Sequence, residues 1–385
     1  MSTRTAAWAL LAGNFAIGCG VMVVPGSLND LVQSLQVSVA VGGQLITLAA
    51  FMMALGAPLL AAAVAGWDRR RLLTLSLLWY AAGHAASALM PSYAALLPVR
   101  AATVLGAAVF TPQAAAAISF VTPAAERGRA ITFIFIGWSL ASVLGMPIGS
   151  YIGETFGWRW AFGLVALLSG IGAIGVWRTL PDAIRPAALS LAAWRSTLTH
   201  PLLMGVVAVT ALSAAGQFTL FSYFAPYYRR VLGVEAAGVS FLFMWFGAFG
   251  LLANVVLQRV VDRIGAARCV GFTLGCMALS LLVWPLGSTL ALMALVITPW
   301  AVGCFASNSA QQARLGGAAP ALAPALMALN TSAMYLGQAI GAAGGGALVA
   351  ARGFGSLHWA ALGWMLLAMA LSAALAWRMK RPFDV

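Results

Sequence analysis

The chain has 385 residues, of which 62% are hydrophobic and 8% are charged, and its mean hydropathy is +0.96. Soluble domains carry about a quarter charged residues, so most of this chain must be solvated by lipid. The formal net charge of +13 does not indicate nucleic-acid binding, because no basic stripe with interleaved aromatic residues occurs and basic residues collect in the cytoplasmic loops of membrane proteins.

Twelve membrane-spanning helices are predicted from the spacing of the charges. A helix needs about 20 apolar residues to cross the hydrocarbon core, and a charge inside that core is costly. Eleven charge-free intervals are candidates, and the longest, 269–313, holds two helices with a break near Pro285 and Gly287. The prediction is an all-α integral membrane protein in two pseudo-symmetric halves, with a six-helix bundle over 1–180, a cytoplasmic linker over 181–200 and a six-helix bundle over 201–385.

The loops divide into a basic set and a set with few charges. If both termini lie on one side, sixteen Lys and Arg residues, Arg314 among them, fall in loops on that side and four fall on the other. The positive-inside rule then predicts that both termini are cytoplasmic. Arg100 stands apart, since it lies within a predicted span and the sequence offers it no obvious partner.

The segment GWDRRRLL, residues 66–73, concentrates charge at the start of the third span. Asp68 is expected to cap the free N–H groups there and to face the positive end of the helix dipole. The loop after the eighth span repeats the Asp-Arg pair, so the third helix of each half is predicted to begin with the same acidic–basic corner. Two interpretations stay open: a topology anchor that caps a helix, or a conformational charge lock between the halves. The lock would consist of Asp68, Arg69, Arg71, Asp262 and Arg263.

Three stretches carry a resemblance to a known family. GAPLLAAAVAGWDRRRLL (56–73) resembles the loop 2–3 signature of the major facilitator superfamily, and PVRAATVLGAAVFTP (98–112) resembles its motif with a membrane arginine, Arg100. GWSLASVLGMPIGSYIG (137–153) resembles the antiporter signature of glycines around a proline. That helix-five motif consists here of Gly145, Pro147, Gly149 and Gly153. The chain is thereby similar to the twelve-helix branch of drug/proton antiporters and sugar-efflux transporters.

The resemblance implies a secondary active transporter that works as a monomer in the bacterial inner membrane. Such a protein exports a small neutral or weakly amphiphilic molecule by alternating access, in exchange for protons. An enzyme is not expected, because no HExxH motif, acidic pair or phosphate loop accompanies the spans, and neither a metal nor another cofactor is expected. The alternative is an uptake or facilitated-diffusion transporter of the same superfamily without proton coupling.

Polar residues within the apolar spans are the candidates for substrate and proton sites. Arg100 and His84 are predicted to form a proton or anion pathway, although Arg100 could instead reach water and His84 could be simply a packed or a lipid-edge histidine. All acidic residues map to loops or helix ends, with Asp30 at one edge, so a strongly cationic substrate is not expected. Each amide could alternatively serve only to join two helices. The predicted substrate cavity is lined by Asn14, Gln113, Trp138, Gln217, Tyr223, Asn308, Asn330 and Gln338.

Overall fold

The regular structure of the protein is helical. The computed structural model describes residues 3–64, 66–123, 126–185 and 191–379, and within these ranges no strand occurs. In the described part of the chain, eleven helices are long and apolar enough to cross a membrane, and Ala266–Leu282 is a shorter apolar helix of 17 residues. The all-helical membrane fold with eleven to twelve spans is therefore confirmed. The break predicted near Pro285 is also present, between Leu282 and Leu290.

The chain divides into two compact units. The first comprises Met1–Ala188 with Gly233–Met244, and the second comprises Leu189–Leu232 with Trp245–Val385. The domain boundaries at 180 and 200 stay a prediction. Residues 186–190 of the predicted linker lie outside the described ranges.

Seven helices build most of the first unit. α1 lies centrally in it, since it contacts α2 and α4 as well as α5, α6 and α7. α3 packs between α4 and α7. In chain order the helices are α1 (Thr3–Ser34), α2 (Val39–Ala63), α3 (Arg69–Leu89), α4 (Tyr93–Val121), α5 (Arg127–Leu140), α6 (Met146–Phe156) and α7 (Trp158–Thr179).

The remaining helices belong to the second unit, apart from the first part of α11. Within that unit α9 packs on α14 and α15, and α12 packs on α13 and α15. An aromatic core around Phe224 joins α10 to the turn at Trp284, with ring centroids 5.5 Å apart. The helices are α8 (Leu191–Leu198), α9 (Pro201–Phe221), α10 (Phe224–Arg230), α11 (Ala236–Ile264), α12 (Ala266–Leu282), α13 (Leu290–Ala318), α14 (Ala323–Arg352) and α15 (Leu357–Arg378).

The fifth predicted span is interrupted where its glycine–proline motif lies. α5 and α6 are joined by a π-helical turn at Ala141–Gly145, directly before Pro147, whose missing N–H also weakens regular helix. A Cβ at Gly145 would collide with Cys19 of α1, and one at Gly153 would collide with Ser27. Gly149 has nothing within 4 Å of its Cβ position. The motif therefore brings α1 close at two of its three glycines.

The two acidic–basic corners differ, so the prediction of matching helix starts is wrong for the second. Asp68 is the N-cap of α3, as predicted, and accepts a hydrogen bond from Arg71 N at 3.1 Å. α11 instead continues to Ile264, past Asp262 and Arg263. The turn into α12 is made by Gly265, whose φ of 90° favours glycine. The side chain of Asp262 lies outside the described part of the structure.

Arg314 is a helix residue and not the loop residue that the charge pattern predicted. It lies inside α13 with its side chain buried. Nη1 donates to Ser372 Oγ at 2.9 Å and Nη2 donates to Ser372 O at 3.3 Å, both on α15. In the sequence, Arg314 ends a charge-free interval and so predicts the end of a span. The helix nevertheless continues past Arg314, because a serine hydroxyl and a backbone carbonyl of the neighbouring helix accept hydrogen bonds from the guanidinium.

Glycines give α14 a close approach to α9. Added Cβ atoms at Gly337, Gly341 and Gly345 would collide with backbone atoms of Ala211, Ala215 and Thr219 of α9, respectively. Both sets recur every four residues, so each forms one helix face. Small residues at this spacing allow backbones to touch in a bilayer.

Gly341→Ala is expected to destabilise the second unit by about 1–3 kcal/mol, because the new methyl group meets a backbone carbonyl that cannot rotate away. Gly344→Ala on the same helix is the matched control, since its Cβ position has nothing within 4 Å. Thermal unfolding in detergent, followed by intrinsic fluorescence, measures both. Equal unfolding temperatures for the two variants would contradict the close approach.

Candidate functional site

Arg100 and His84, predicted to form a proton or anion pathway, are in direct contact in the first unit. Arg100 lies on α4 with 2% of its surface exposed, and its Nη1 is 2.8 Å from His84 Nε2. Arginine can only donate, so Nε2 accepts and the imidazole is neutral. The other ring nitrogen, Nδ1, carries the proton and donates to Tyr80 O at 2.9 Å.

The partner that the sequence did not reveal for Arg100 is therefore a neutral histidine together with a backbone carbonyl. Arg100 Nη2 donates to Gly20 O of α1 at 2.6 Å. Its Nε is buried without a hydrogen-bond partner, and no described acidic residue forms a salt bridge with the guanidinium. We call Arg100, His84, Tyr80 and the Gly20 carbonyl the arginine–histidine cluster. It holds a buried positive charge without a counter-ion, which is unusual in a low-dielectric interior.

Tight packing of α3 on α4 places His84 in this cluster and not at a lipid edge. A Cβ at Gly83 would collide with Thr103, and one at Gly106 would collide with Ser76 O. The close approach leaves His84 fully buried. Aromatic rings complete the surroundings, with the Tyr80 centroid 4.3 Å and the Phe162 centroid 5.6 Å from that of His84.

Four polar side chains of the second unit form a hydrogen-bonded chain across α9, α13 and α14. Thr210 Oγ1 donates to Asn330 Oδ1 at 2.6 Å, and Asn330 Nδ2 donates to Asn308 Oδ1 at 3.2 Å. Gln311 Nε2 donates to Thr210 Oγ1 at 3.2 Å and to Val206 O at 2.9 Å. We call Thr210, Asn308, Gln311 and Asn330 the amide chain. Asn308 is half-buried, and Gln311 Oε1 is buried without a partner, so acceptor capacity remains unused.

The other predicted cavity residues of the second unit are buried, with different partners. Gln217 Oε1 accepts from Cys304 Sγ at 2.9 Å. Tyr223 lies in the break between α9 and α10, and its hydroxyl donates to Ala342 O of α14 at 2.6 Å. This hydrogen bond joins two helices and uses the tyrosine proton. Gln338 is buried on α14.

The predicted cavity residues of the first unit lie on α1, α4 and α5. Asn14 Nδ2 donates to Ile134 O at 3.1 Å, and its Oδ1 accepts from Thr111 Oγ1 at 3.0 Å. Gln113 Oε1 and Trp138 Nε1 are both buried without hydrogen-bond partners. Asn14 therefore joins helices, whereas Gln113 offers an unused acceptor and Trp138 an unused donor.

Sequence reasoning missed Gln311, Thr210 and Thr111. Gln311 stands within a charge-free interval, so the rule that selected the other amides would also have selected it. The two threonines carried no such signal, because most hydroxyls in helices bond to their own backbone, as Thr103 does to Val99 O at 2.6 Å.

The α3 corner is tied to the segment that follows α7. Asp68 Oδ2 accepts from Ile184 N at 3.1 Å, and Arg69 N donates to Ile184 O at 3.0 Å. Arg70, which the predicted lock did not include, forms a salt bridge with Asp182 at 2.7 Å. Its guanidinium also lies 4.4 Å from the Trp177 ring centroid. Asp68 and Arg69 of the predicted lock thus form hydrogen bonds within their own unit.

Asp30, in the last part of α1, is also occupied by a helix terminus. Its Oδ2 accepts from Trp158 N at 2.7 Å, at the start of α7. Carboxylates are favoured there by the helix dipole. Asp30 therefore acts as a cap in this conformation.

The comparisons agree with this architecture. The sequence profile of the Major Facilitator Superfamily matches residues 10–321 and, in a second match, 206–384. The chain belongs to this superfamily and is a transporter, not an enzyme.

Relatives of known name span much or all of the chain. It is 27% identical over 377 residues to the inner membrane transport protein YdhP of Escherichia coli (strain K12), which covers 98% of this chain and 97% of that protein. The "Probable sugar efflux transporter" of Pasteurella multocida (strain Pm70) is 29% identical over 260 residues, 66% of this chain and 63% of that protein. The crystal structure of a D-xylose-proton symporter matches with a TM-score of 0.78 at 18% identity over 97% of each chain, which shows the fold alone.

Replacing His84 tests whether the hydrogen bond that its neutral imidazole accepts from Arg100 stabilises the protein. His84→Leu leaves a donor of Arg100 buried and unpaired, so the free energy of unfolding is expected to fall by about 1–3 kcal/mol. His84→Gln keeps an acceptor and is expected to lose less. Chemical unfolding in detergent micelles measures both variants. A leucine variant as stable as the glutamine variant would show that the hydrogen bond contributes nothing.

Proposed function

We propose that the protein is a secondary active transporter that exports a neutral, hydroxylated or weakly amphiphilic small molecule by alternating access. The amide chain is the observation that carries the substrate class. Its members offer uncharged donors and acceptors, and Gln311 Oε1 is a buried acceptor without a partner. A ligand hydroxyl that donates to this oxygen would remove the cost of burying it unpaired.

The charges near the predicted sites support a substrate that is not a cation. Arg100 places an uncompensated positive charge within the first unit, Asp30 is occupied as a helix cap, and Glu154 accepts a hydrogen bond from Asn29. A desolvated ammonium group would therefore meet repulsion from Arg100 and two carboxylates that already have partners. Sugars and neutral drug-like molecules meet the requirement, and the relative named as a sugar efflux transporter supports the same class.

Export and proton exchange are also part of the proposal. The direction is supported by the helix-five signature, in which Gly145 ends a π-helical turn against α1 and Pro147 follows it. It is also supported by the efflux named for the relative. His84 is proposed to carry the proton, because it is a buried imidazole held neutral by a hydrogen bond. Its charged neighbour is Arg100 of α4, and the titratable ring of Tyr80 of α3 packs against it with centroids 4.3 Å apart.

Protonation of His84 would turn its acceptor nitrogen into a donor and place a second positive charge beside Arg100. The side chains of Arg100 and His84 would then move apart, and this would change the hydrogen bond from Arg100 to the Gly20 carbonyl of α1. Proton binding is thereby linked to the contact between α4 and α1. Such a link is what an exchanger needs, because the proton must change the relative stability of two conformations.

Everted membrane vesicles with an acidic interior test the function. Accumulation of labelled sugars and neutral drugs is expected, and an uncoupler should abolish it. His84→Gln should reduce proton-driven accumulation about tenfold, while the exchange of labelled for unlabelled substrate continues. His358→Gln, which changes a buried histidine of α15, is the matched control and should accumulate normally.

Asn330→Leu should weaken both accumulation and exchange, because it breaks the amide chain at its centre. Accumulation that ignores the uncoupler and the His84 variant would favour the alternative, a facilitated-diffusion or uptake transporter without proton coupling. Accumulation of permanently cationic drugs in preference to sugars would contradict the substrate class.

The α3 corner is proposed to act as a conformational charge lock in addition to capping a helix, with both termini in the cytoplasm. Asp68→Asn removes the charge but keeps the helix cap, because asparagine caps a helix about as well as aspartate. The variant is expected to lose transport by about tenfold. Its unfolding temperature should fall only by the loss of the hydrogen bond from Ile184 N, because an asparagine cannot accept that bond together with the one from Arg71 N. Asp182→Asn is the control, since it breaks only the exposed salt bridge to Arg70. Transport at the normal rate in Asp68→Asn would leave the cap as the only role.

A further inference from the structure

An open groove lies between α3 and α7 on the first unit. Its volume is about 640 Å³, and its floor is formed by Leu75 and Leu78 of α3 and by Ala173 and Ile174 of α7. Leu75, Leu78 and Ile174 are each about half exposed. The chain crosses a membrane at both helices, so an exposed apolar groove along them is a surface for lipid chains.

One end of the groove is basic. Arg71, from the first turn of α3, and Arg178, from the last turn of α7, line it together with Trp177. Tryptophan and arginine at the end of a spanning helix mark the level of the lipid headgroups. The groove thus combines an apolar length with a cationic end at the membrane surface.

The two arginines are available for an external anion. The nearby aspartates are occupied, since Asp68 caps α3 and bonds Ile184 N, and Asp182 pairs with Arg70. Among the described residues, the side chains of Arg71 and Arg178 have no hydrogen-bond or salt-bridge partner. The acids of this corner are therefore used by other groups, and the positive charge at the end of the groove is not compensated.

A third polar group points to the same ligand. Thr74 lies one turn along α3 from Arg71 and lines the groove, with 8% of its surface exposed. Its hydroxyl is buried and has no hydrogen-bond partner, although helical threonines usually bond to the backbone carbonyl four residues earlier. An unpaired buried hydroxyl costs free energy that a ligand oxygen would recover.

We propose that this groove is a binding site for one anionic phospholipid. The acyl chain lies along Leu75, Leu78 and Ile174, and the phosphate is held by Arg71 and Arg178, with Thr74 as a further donor. Arginine suits phosphate because its planar group donates two hydrogen bonds in parallel. With both termini in the cytoplasm, as proposed above, the lipid belongs to the cytoplasmic leaflet, where anionic lipids attract basic residues.

Native mass spectrometry of the purified full-length protein tests the site. The protein is incubated with phosphatidylglycerol or phosphatidylcholine of identical acyl chains, and the fraction that retains lipid is measured. Phosphatidylglycerol is expected to be retained preferentially, and the double variant Arg71→Gln/Arg178→Gln should reduce that preference by about tenfold. Arg129→Gln/Arg268→Gln removes the same charge from exposed positions elsewhere and should keep the preference.

A charge-neutral variant tests the apolar part independently. Leu75→Trp fills the groove and should lower retention of both lipids, while the arginine end is unchanged. The proposal is overturned if Arg71→Gln/Arg178→Gln keeps the preference, if the control double variant loses it equally, or if Leu75→Trp retains lipid normally. Displacement of phosphatidylglycerol by inorganic phosphate would also overturn it, because the site would then bind a free anion. None of these measurements depends on transport, so they stand apart from the function proposed above.

Discussion

In a bilayer every backbone polar group must be satisfied within the protein, and the buried arginines of both units likewise bond to neighbouring helices. Arg100 has no carboxylate and bonds to a neutral imidazole and a carbonyl, and Arg314 bonds to a serine. The amides of α13 and α14 are likewise joined through Thr210 of α9. Because each partner lies on another helix, the polar contacts that satisfy the groups also fix which helices are neighbours.

The parts of the fold that depend on local rules could be predicted from the sequence. Charges mark the ends of most spans, and Asp68 caps α3 because a cap needs only the residues that follow it. The prediction that a helix begins at the second acidic–basic corner was wrong, because the preceding helix is terminated three residues beyond Asp262 by Gly265 with its positive φ. The prediction that Arg314 lies in a loop was wrong because its hydrogen-bond acceptor, Ser372, is distant in sequence, and the spacing of charges does not reveal such a contact.

The candidate sites show the same division. The composition of the spans identified Arg100, His84, Asn308 and Asn330 as candidates. It did not predict that Arg100 contacts His84 or that Asn308 contacts Asn330. The Arg100–His84 contact depends on α3 and α4 approaching at Gly83 and Gly106, a matter of packing between helices. The orientation of the Tyr223 hydroxyl toward Ala342 depends on the break between α9 and α10 in the same way.

The glycine face of α14 has a mechanical consequence. Gly337, Gly341 and Gly345 lie directly against the backbone of α9. At these three positions α14 has no side chain whose rotamer could change and so allow the two helices to shift. The two helices are therefore expected to move as one rigid pair, with their spacing fixed over about two helical turns. The regular part of α9 ends at Ser222 and Tyr223, where α10 begins. The glycine face and the hydrogen bond from the Tyr223 hydroxyl to Ala342 O hold α9 against α14 as far as the end of α9. A shape change of the second unit that keeps these contacts must therefore move the two helices as one.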